Sequence, residues 1–529
     1  MLTTPPKRPV RFFNTTGPCN PWDHYMLPPE DRLVGAQLHR YIKDKLYWVL
    51  YAPRQTGKTT FLRSWAREIN AINDVIACYT SLETCQGITG RAEAMITMHK
   101  AVCESARAWN VPIPELSINN PELLLYETMR RWAELTAPKP LVVLFDEVDV
   151  LEGEALISFL RQLRNGFAER DAGKFPVSIA LVGMRDLKDY ITVTKGGVAP
   201  NPGSPFNIKE DSAVLSNFTQ ADIEKLFAQR TEETGQAINR DAIEFVFEQS
   251  SGQPWIVNSL FKRATIRILK EDDYRAVTLD HIKQAREQMI LARETHLDSL
   301  AYRMEDPKIE KLMSTLITGS VDLELVKSEA FRICNDLGLV TMKKGVPSIA
   351  NPIYKEVLAR QMTIGVQAMI AEPEWQWEKP DGSLDMDALL REFQIFWREN
   401  SEIWEQKSDY TEAFPHLLLM AFLQRVLNGG GRIEREYAAG RGRMDLFIEY
   451  NNKFYIIEIK LVQEKQSPDT VKEKGLEQIV KYRETKAPGC PSYLMIFDRR
   501  DIAKSLSWDE RIYWQEENIP GGTITVLGC

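Results

Sequence analysis

Between residues 45 and 69 the apolar spacing changes from that of a strand to that of a helix, and the change is made across Ala52-Pro53-Arg54-Gln55-Thr56-Gly57-Lys58-Thr59-Thr60. A strand that runs through a Gly-containing loop straight into a helix aims several backbone N–H groups and the positive helix end at one point, which suits an anion. In this order of elements Gln55, Thr56, Gly57, Lys58, Thr59 and Thr60 would surround a phosphate chain, with Lys58 on the β- and γ-phosphates and Thr59 on Mg²⁺. Ala52 stands where the usual pattern has its first Gly, and Pro53 restricts it to extended geometry; the residues that contact phosphate are retained.

Leu141-Val142-Val143-Leu144-Phe145 is an unbroken apolar run, as expected of a parallel strand buried on both faces, and it ends in Asp146-Glu147-Val148-Asp149. Asp146 would hold the Mg²⁺ shell and Glu147 would polarise the attacking water; the alternative is a strand capped by an acidic turn. A further strand over 177–183 leads to Met184-Arg185-Asp186, where Arg185 either senses the γ-phosphate or pairs with Asp186 or Asp189.

Taken with Ser251-Gly252-Gln253-Pro254-Trp255, which is similar to a Gly-x-Pro lid signature, and with Phe12-Phe13-Asn14-Thr15-Thr16-Gly17-Pro18, His24-Tyr25 and Arg32 as a lead-in, residues 12–360 resemble prokaryotic AAA-like ATPases of the STAND/AAA+ group. The resemblance implies a P-loop ATPase core over 1–215, a helical lid over 216–300 in which Pro254 approaches the nucleotide, a lead-in that contacts adenine or braces the phosphate loop, and homo-oligomerisation. For 301–360 the pattern is that of a winged-helix-like unit: helices over 308–318 and 328–337, Gly338 as a C-cap, and a wing turning at Lys344-Gly345. Its second helix carries Glu329 and Asp336 and is only weakly basic, which favours an intramolecular clamp over a DNA-reading helix.

Near the C-terminus, residues 443–450 alternate like a half-buried strand, Asn451 and Asn452 follow, and 454–461 form a second apolar run. If the two Asn make a two-residue turn, for which Asn tolerates positive φ, Asp445 falls opposite Glu458, and Lys460 shares the face of Glu458. Opposed carboxylates in an apolar hairpin call for a cation, and Mg²⁺ suits a few carboxylate oxygens while keeping waters for chemistry. Lys460 would orient or deprotonate a water. The other reading is a solvated polar strand face.

Gly442-Arg443-Met444-Asp445-Leu446 followed by Glu458-Ile459-Lys460 resembles the core of the PD-(D/E)XK nuclease superfamily, over about residues 410–497. The resemblance implies Asp445 and Glu458 as metal ligands, Lys460 as the catalytic cation, Gln478 and Tyr482 as auxiliary residues on a following helix, and Glu412 as an additional acid, a role for which Glu434 and Glu436 also stand in line. A nuclease-like domain is thus expected over 410–529. A connector over 361–409 contains an aromatic helix at 388–404, whose Phe393, Phe396, Trp397 and Trp404 mark a core or an interdomain dock.

With 529 residues, 44% hydrophobic and 26% charged, the chain has room for several soluble domains. A net charge of −8 argues against nucleic-acid binding by the whole surface, though not against a local basic groove. No apolar run nears the roughly 20 residues that span a bilayer, and the seven cysteines lack paired spacing. The expectations are an α/β protein: a parallel-sheet P-loop core with helical lid and winged helix, joined to an α/β/α nuclease-like domain. It would be cytoplasmic with reduced thiols and no membrane partner, use ATP and Mg²⁺, and act on nucleic acid, DNA in the first place. The architecture invites a role in defence against foreign DNA. Two rival readings are a regulatory or scaffold ATPase whose nuclease-like domain binds without cutting, and a mobile-element protein.

Overall fold

The computed structural model describes residues 10–34, 38–184, 209–292, 306–318, 323–343, 345–369, 377–405, 418–420, 422–423, 431–439, 442–485, 488–498, 500–519 and 522–529. The chain divides into two compact units, one made of residues 1–297 and 327–354 and the other of 298–326 and 355–529, so the stretch expected as a winged-helix unit is shared between them.

The first unit is built on a six-stranded sheet of β1 (Leu33–Val34), β2 (Tyr47–Tyr51), β3 (Ile76–Ser81), β4 (Leu141–Asp146), β5 (Ser178–Gly183) and β6 (Lys209–Leu215), in the order β1-β6-β2-β5-β4-β3. All neighbours are parallel except β1 on β6. Every residue of β4 and β5 is buried, which is what an unbroken apolar strand demands. Alternation along β2 feeds two cores. Tyr47 and Val49 join Met98, Trp132 and Phe159 of the helices on one face; Trp48 and Leu50 join Phe61, Leu62 and Trp65 of helix Lys58–Ile72 on the other. The chain leaves β2, builds the β3, β4 and β5 side, and returns past β2 to β6, so the carboxyl end of β2 lies at a topological switch point, where open α/β sheets bind ligands.

Helices Gln220–Thr234, Arg240–Ser250, Pro254–Lys262 and Leu279–Leu291 follow the sheet as a helical group. The lead-in is packed onto it by Phe13, whose ring meets Phe227 and Phe261 at 5.7 and 5.0 Å, and by Trp255, whose indole N–H donates to the Thr15 carbonyl at 3.0 Å. Ser328 caps helix Glu329–Asp336 by accepting from Phe331 N–H. Gly338 follows in the left-handed region at φ 73°, and β7 (Val340–Lys343) pairs antiparallel with β8 (Val346–Ile349).

The second unit holds a mixed sheet of β9 (Gly431–Ala439), β10 (Gly442–Tyr450), β11 (Lys453–Val462), β12 (Ser492–Asp498), β13 (Trp514–Ile519) and β14 (Gly522–Gly528), in the order β13-β14-β12-β11-β10-β9. Strands β9 to β11 run antiparallel; β11, β12 and β14 are parallel. Helix Pro468–Thr485 covers one face through Ile479 and Tyr482, against Phe447, Ile456 and Leu494. It lies close because Gly475 has no side chain: a Cβ there would sit 2.5 Å from Leu494 Cδ1. On the other face Phe393 and Trp397 of helix Met386–Glu405 pack with Leu446, Ile457 and Phe497, so the aromatic helix expected in the connector shares this core. All seven cysteines are free, and among the described residues no helix is long and apolar enough to cross a membrane.

Candidate functional site

A cavity of about 590 Å³ opens at the carboxyl end of β2. Gln55, Thr56, Gly57, Lys58, Thr59, Thr60, Asp146, Glu147 and Pro254, all singled out in the sequence, line it together. Gln55 at φ 59° and Gly57 at φ 96° turn the backbone through the left-handed region, and Gly57 caps helix Lys58–Ile72, so the loop wraps that N-terminus. Lys58 Nζ is turned under the loop and donates to the carbonyls of Ala52 (2.6 Å) and Pro53 (2.9 Å), while Thr56 Oγ1 also donates to Pro53. Burial lowers the Lys58 pKa to about 8; Asp146, Asp149 and Glu147 oppose that fall and Arg54 adds to it.

Thr59 Oγ1 donates to Asp146 Oδ2 at 2.6 Å, and Tyr79 OH donates to the same oxygen at 3.2 Å. Glu147 adopts φ 59°, and its Oε2 accepts from Ser81 Oγ at 2.8 Å. Burial raises the pKa of both acids. The donor set fits a magnesium nucleotide. A hydroxyl and a buried carboxylate already share one corner, a second carboxylate stands beside them, and the ammonium holds carbonyl oxygens that phosphate oxygens would replace. A bound magnesium nucleotide would supply an electrophilic γ-phosphorus with its charge partly neutralised.

Arg32 braces the loop: it is buried, donates from Nη2 to Thr56 O (2.9 Å) and from Nη1 to Ser216 O (3.0 Å), and lies over the Phe218 ring. Gln253, the N-cap of helix Pro254–Lys262, donates from Nε2 to Gln55 O at 3.4 Å. Sequence reasoning missed Ser81 and Tyr79. The signal for Ser81 is positional, since it is the last residue of β3 and pairs with Asp146. Arg185 lies outside the described residues.

In the second unit β10 and β11 form the expected hairpin. Asn451 and Asn452 make its turn with φ of 47° and 61°, and the ladder runs from Tyr450↔Lys453 to Leu446↔Ile457. Asp445 is the next residue of β10; its side chain lies outside the described residues, as do Glu412 and the side chains of Glu434 and Glu436. Glu458 is 1% exposed and accepts from Lys460 Nζ at 2.5 Å. Both residues alternate with Ile456 and Val462, on the face packed by the helix that carries half-buried Gln478 and buried Tyr482. Among the described residues no cluster of three or more His, Cys, Asp or Glu side chains is arranged to hold a metal.

The fold and loop of the first unit are those of a P-loop ATPase-like α/β core. Residues 410–489 match the family model described as PD-(D/E)XK nuclease superfamily. No curated protein matches the chain. Solved structures similar to it include the Walker-type ATPase PABY2304 of Pyrococcus abyssi, at 15% identity over 65% of this chain and 99% of that one with a TM-score of 0.47. Cdc6p from Pyrobaculum aerophilum is 13% identical over 62% and 91% with a TM-score of 0.36. The Thermotoga maritima RuvB Holliday junction branch migration motor is 15% identical over 60% and 90% with a TM-score of 0.33.

Proposed function

We propose that the protein binds and hydrolyses ATP in the first unit and, under the control of that site, cleaves phosphodiester bonds of nucleic acid, DNA in particular, in the second. The observation that carries the reading is the buried Glu458 carboxylate held by Lys460 inside a segment that matches a nuclease superfamily. A carboxylate withdrawn from water beside one half-buried ammonium costs free energy that the pair alone repays poorly, which favours a role in chemistry. Continuation of the β10–β11 ladder by one pair supports Asp445 as the partner of Glu458. Asp445 and Glu458 would hold Mg²⁺, and Lys460 would orient the attacking water and offset charge on the phosphate. Gln478 and Tyr482 would line the approach.

In the nucleotide site, Lys58, now on the Ala52 and Pro53 carbonyls, would hold phosphate oxygens, Thr59 and Asp146 would hold Mg²⁺, and Glu147, now on Ser81, would polarise water. The packing of Gly338 on Pro53 supports a clamp role for the wing segment, because it bears on the loop whose carbonyls restrain Lys58. Phosphate release and cleavage of a plasmid, followed in one reaction with Mg²⁺, test the reading. Lys58→Ala and Glu147→Gln should abolish release and change the cleavage rate. Release that survives both variants would refute the nucleotide site, and a cleavage rate indifferent to ATP and to Lys58→Ala would refute the control.

A further inference from the structure

Tyr79 stands on the face of β3 that helix Lys58–Ile72 covers, and its ring packs half-buried beside the core that Phe61, Trp65 and Leu144 share. It pairs with Leu144 of β4, and Asp146, two residues on, projects to the same face, so the side chain reaches along β4 to the carboxylate. Trp109 lies 6.5 Å from the ring and the Arg63 guanidinium 5.9 Å from it. Arg63 follows Thr59 by one turn, so one face of the helix brings Thr59 to Asp146 and Arg63 to Tyr79. The Tyr79 hydroxyl donates to Asp146 Oδ2 at 3.2 Å, the oxygen that also accepts from Thr59 Oγ1 at 2.6 Å, while Oδ1 accepts from Glu147 N–H at 3.0 Å. An aspartate carboxylate turns easily about its last bond, so its donors decide which way its oxygens face.

Resting on the nucleotide-site reading above, we infer that Tyr79 is a positioning residue for the magnesium ion of the bound nucleotide, its hydroxyl setting the orientation in which Asp146 meets the metal. Thr59 cannot fix that orientation alone, because in the same reading its own oxygen turns to the metal. The single hydroxyl hydrogen of Tyr79 is spent on Asp146, and the ring that carries it sits on a neighbouring strand rather than on the phosphate loop or its helix. Loss of a hydrogen bond that orients a metal ligand weakens the metal about ten- to a hundredfold. A Tyr79 that serves only as a packed ring predicts no such dependence, so binding with and without the metal tells the two roles apart.

The test measures equilibrium binding of a fluorescent, non-hydrolysable ATP analogue to the full-length protein, in EDTA and along a Mg²⁺ titration. In wild-type protein Mg²⁺ should tighten binding. Tyr79→Phe, which keeps the ring and removes only the hydroxyl, should bind the analogue in EDTA as wild type does, which also reports an intact fold, and should need about tenfold more Mg²⁺ to reach half of the tightening. Its phosphate release should return toward the wild-type rate at saturating Mg²⁺. A Mg²⁺ midpoint equal to that of wild type overturns the assignment, and so does an equal loss of affinity with and without Mg²⁺, the mark of a packing role. Thr59→Val separates this failure from that of the underlying site. If wild-type protein binds no analogue, or Mg²⁺ tightens its binding no more than that of Thr59→Val, the nucleotide-site reading falls and the role of Tyr79 with it; if Thr59→Val loses the tightening and Tyr79→Phe keeps it at the wild-type midpoint, only the role of Tyr79 falls.

Discussion

The hydroxyl of Thr59 donates to the Asp146 carboxylate across 2.6 Å, joining the first turn of helix Lys58–Ile72 to the end of β4. Asp146 is buried and raised in pKa by that burial, so each donor it holds matters. Thr59→Val should therefore lower the stability of the first unit by about 1–3 kcal/mol and abolish Mg²⁺-dependent phosphate release. Thr59→Ser should keep both. Urea unfolding and phosphate release check the pair.

Lys58 titrates near 8 in the free protein because burial disfavours its charge. Phosphate oxygens favour the charged form, so the pKa is higher in the complex and binding takes up a proton wherever the free lysine is neutral. Affinity for ATP should be flat below pH of about 8 and fall above it, approaching about tenfold per pH unit for one proton. Lys58→Arg, which stays charged, should remove the fall. Binding titrations on both sides of that pH give the slope.

Gly338 stands at φ 73° with Pro53 against it, and a Cβ there would lie 2.6 Å from Pro53 Cβ. Gly338→Ala should destabilise the first unit by about 2 kcal/mol or more, combining left-handed strain with overpacking, and should weaken ATP binding by moving the loop that restrains Lys58. Gly345→Ala is the control. That glycine has φ 80° but nothing within 4 Å, so the substitution should cost only the strain and leave ATP affinity unchanged. Thermal unfolding and nucleotide titration distinguish the two.

The hairpin turn sets the register that carries Glu458. Asn452→Gly should be tolerated, because Gly suits positive φ at the second turn position. Asn452→Val should cost about 1–2 kcal/mol, read as a lower unfolding midpoint of the second unit.

Much of this was legible because it obeys short-range rules. The phosphate loop needs a strand, a Gly and a helix start in sequence, and the two-Asn turn fixes the β10–β11 register without knowledge of the rest of the fold. What could not be read depends on meetings across long separations. Strand β6 begins Lys209-Glu210-Asp211 and has only the short apolar run Ala213-Val214-Leu215 to announce it, yet it is inserted between β1 and β2. Ser81 meets Glu147 only because β3 pairs with β4, and Gln253 meets Gln55 only because the start of helix Pro254–Lys262 packs beside the loop. Helix Met386–Glu405 had the right aromatic spacing, but the spacing of one helix does not say which core it enters.

The measurement that bears most directly on the account is the rate at which labelled duplex DNA is cut in Mg²⁺ by wild-type protein and by Asp445→Asn, which replaces one oxygen of the expected metal pair. Cleavage by wild type that falls about a thousandfold or more in Asp445→Asn is the predicted result. Cutting at the wild-type rate by the variant, or no cutting by wild type in Mg²⁺ with or without ATP, would contradict it.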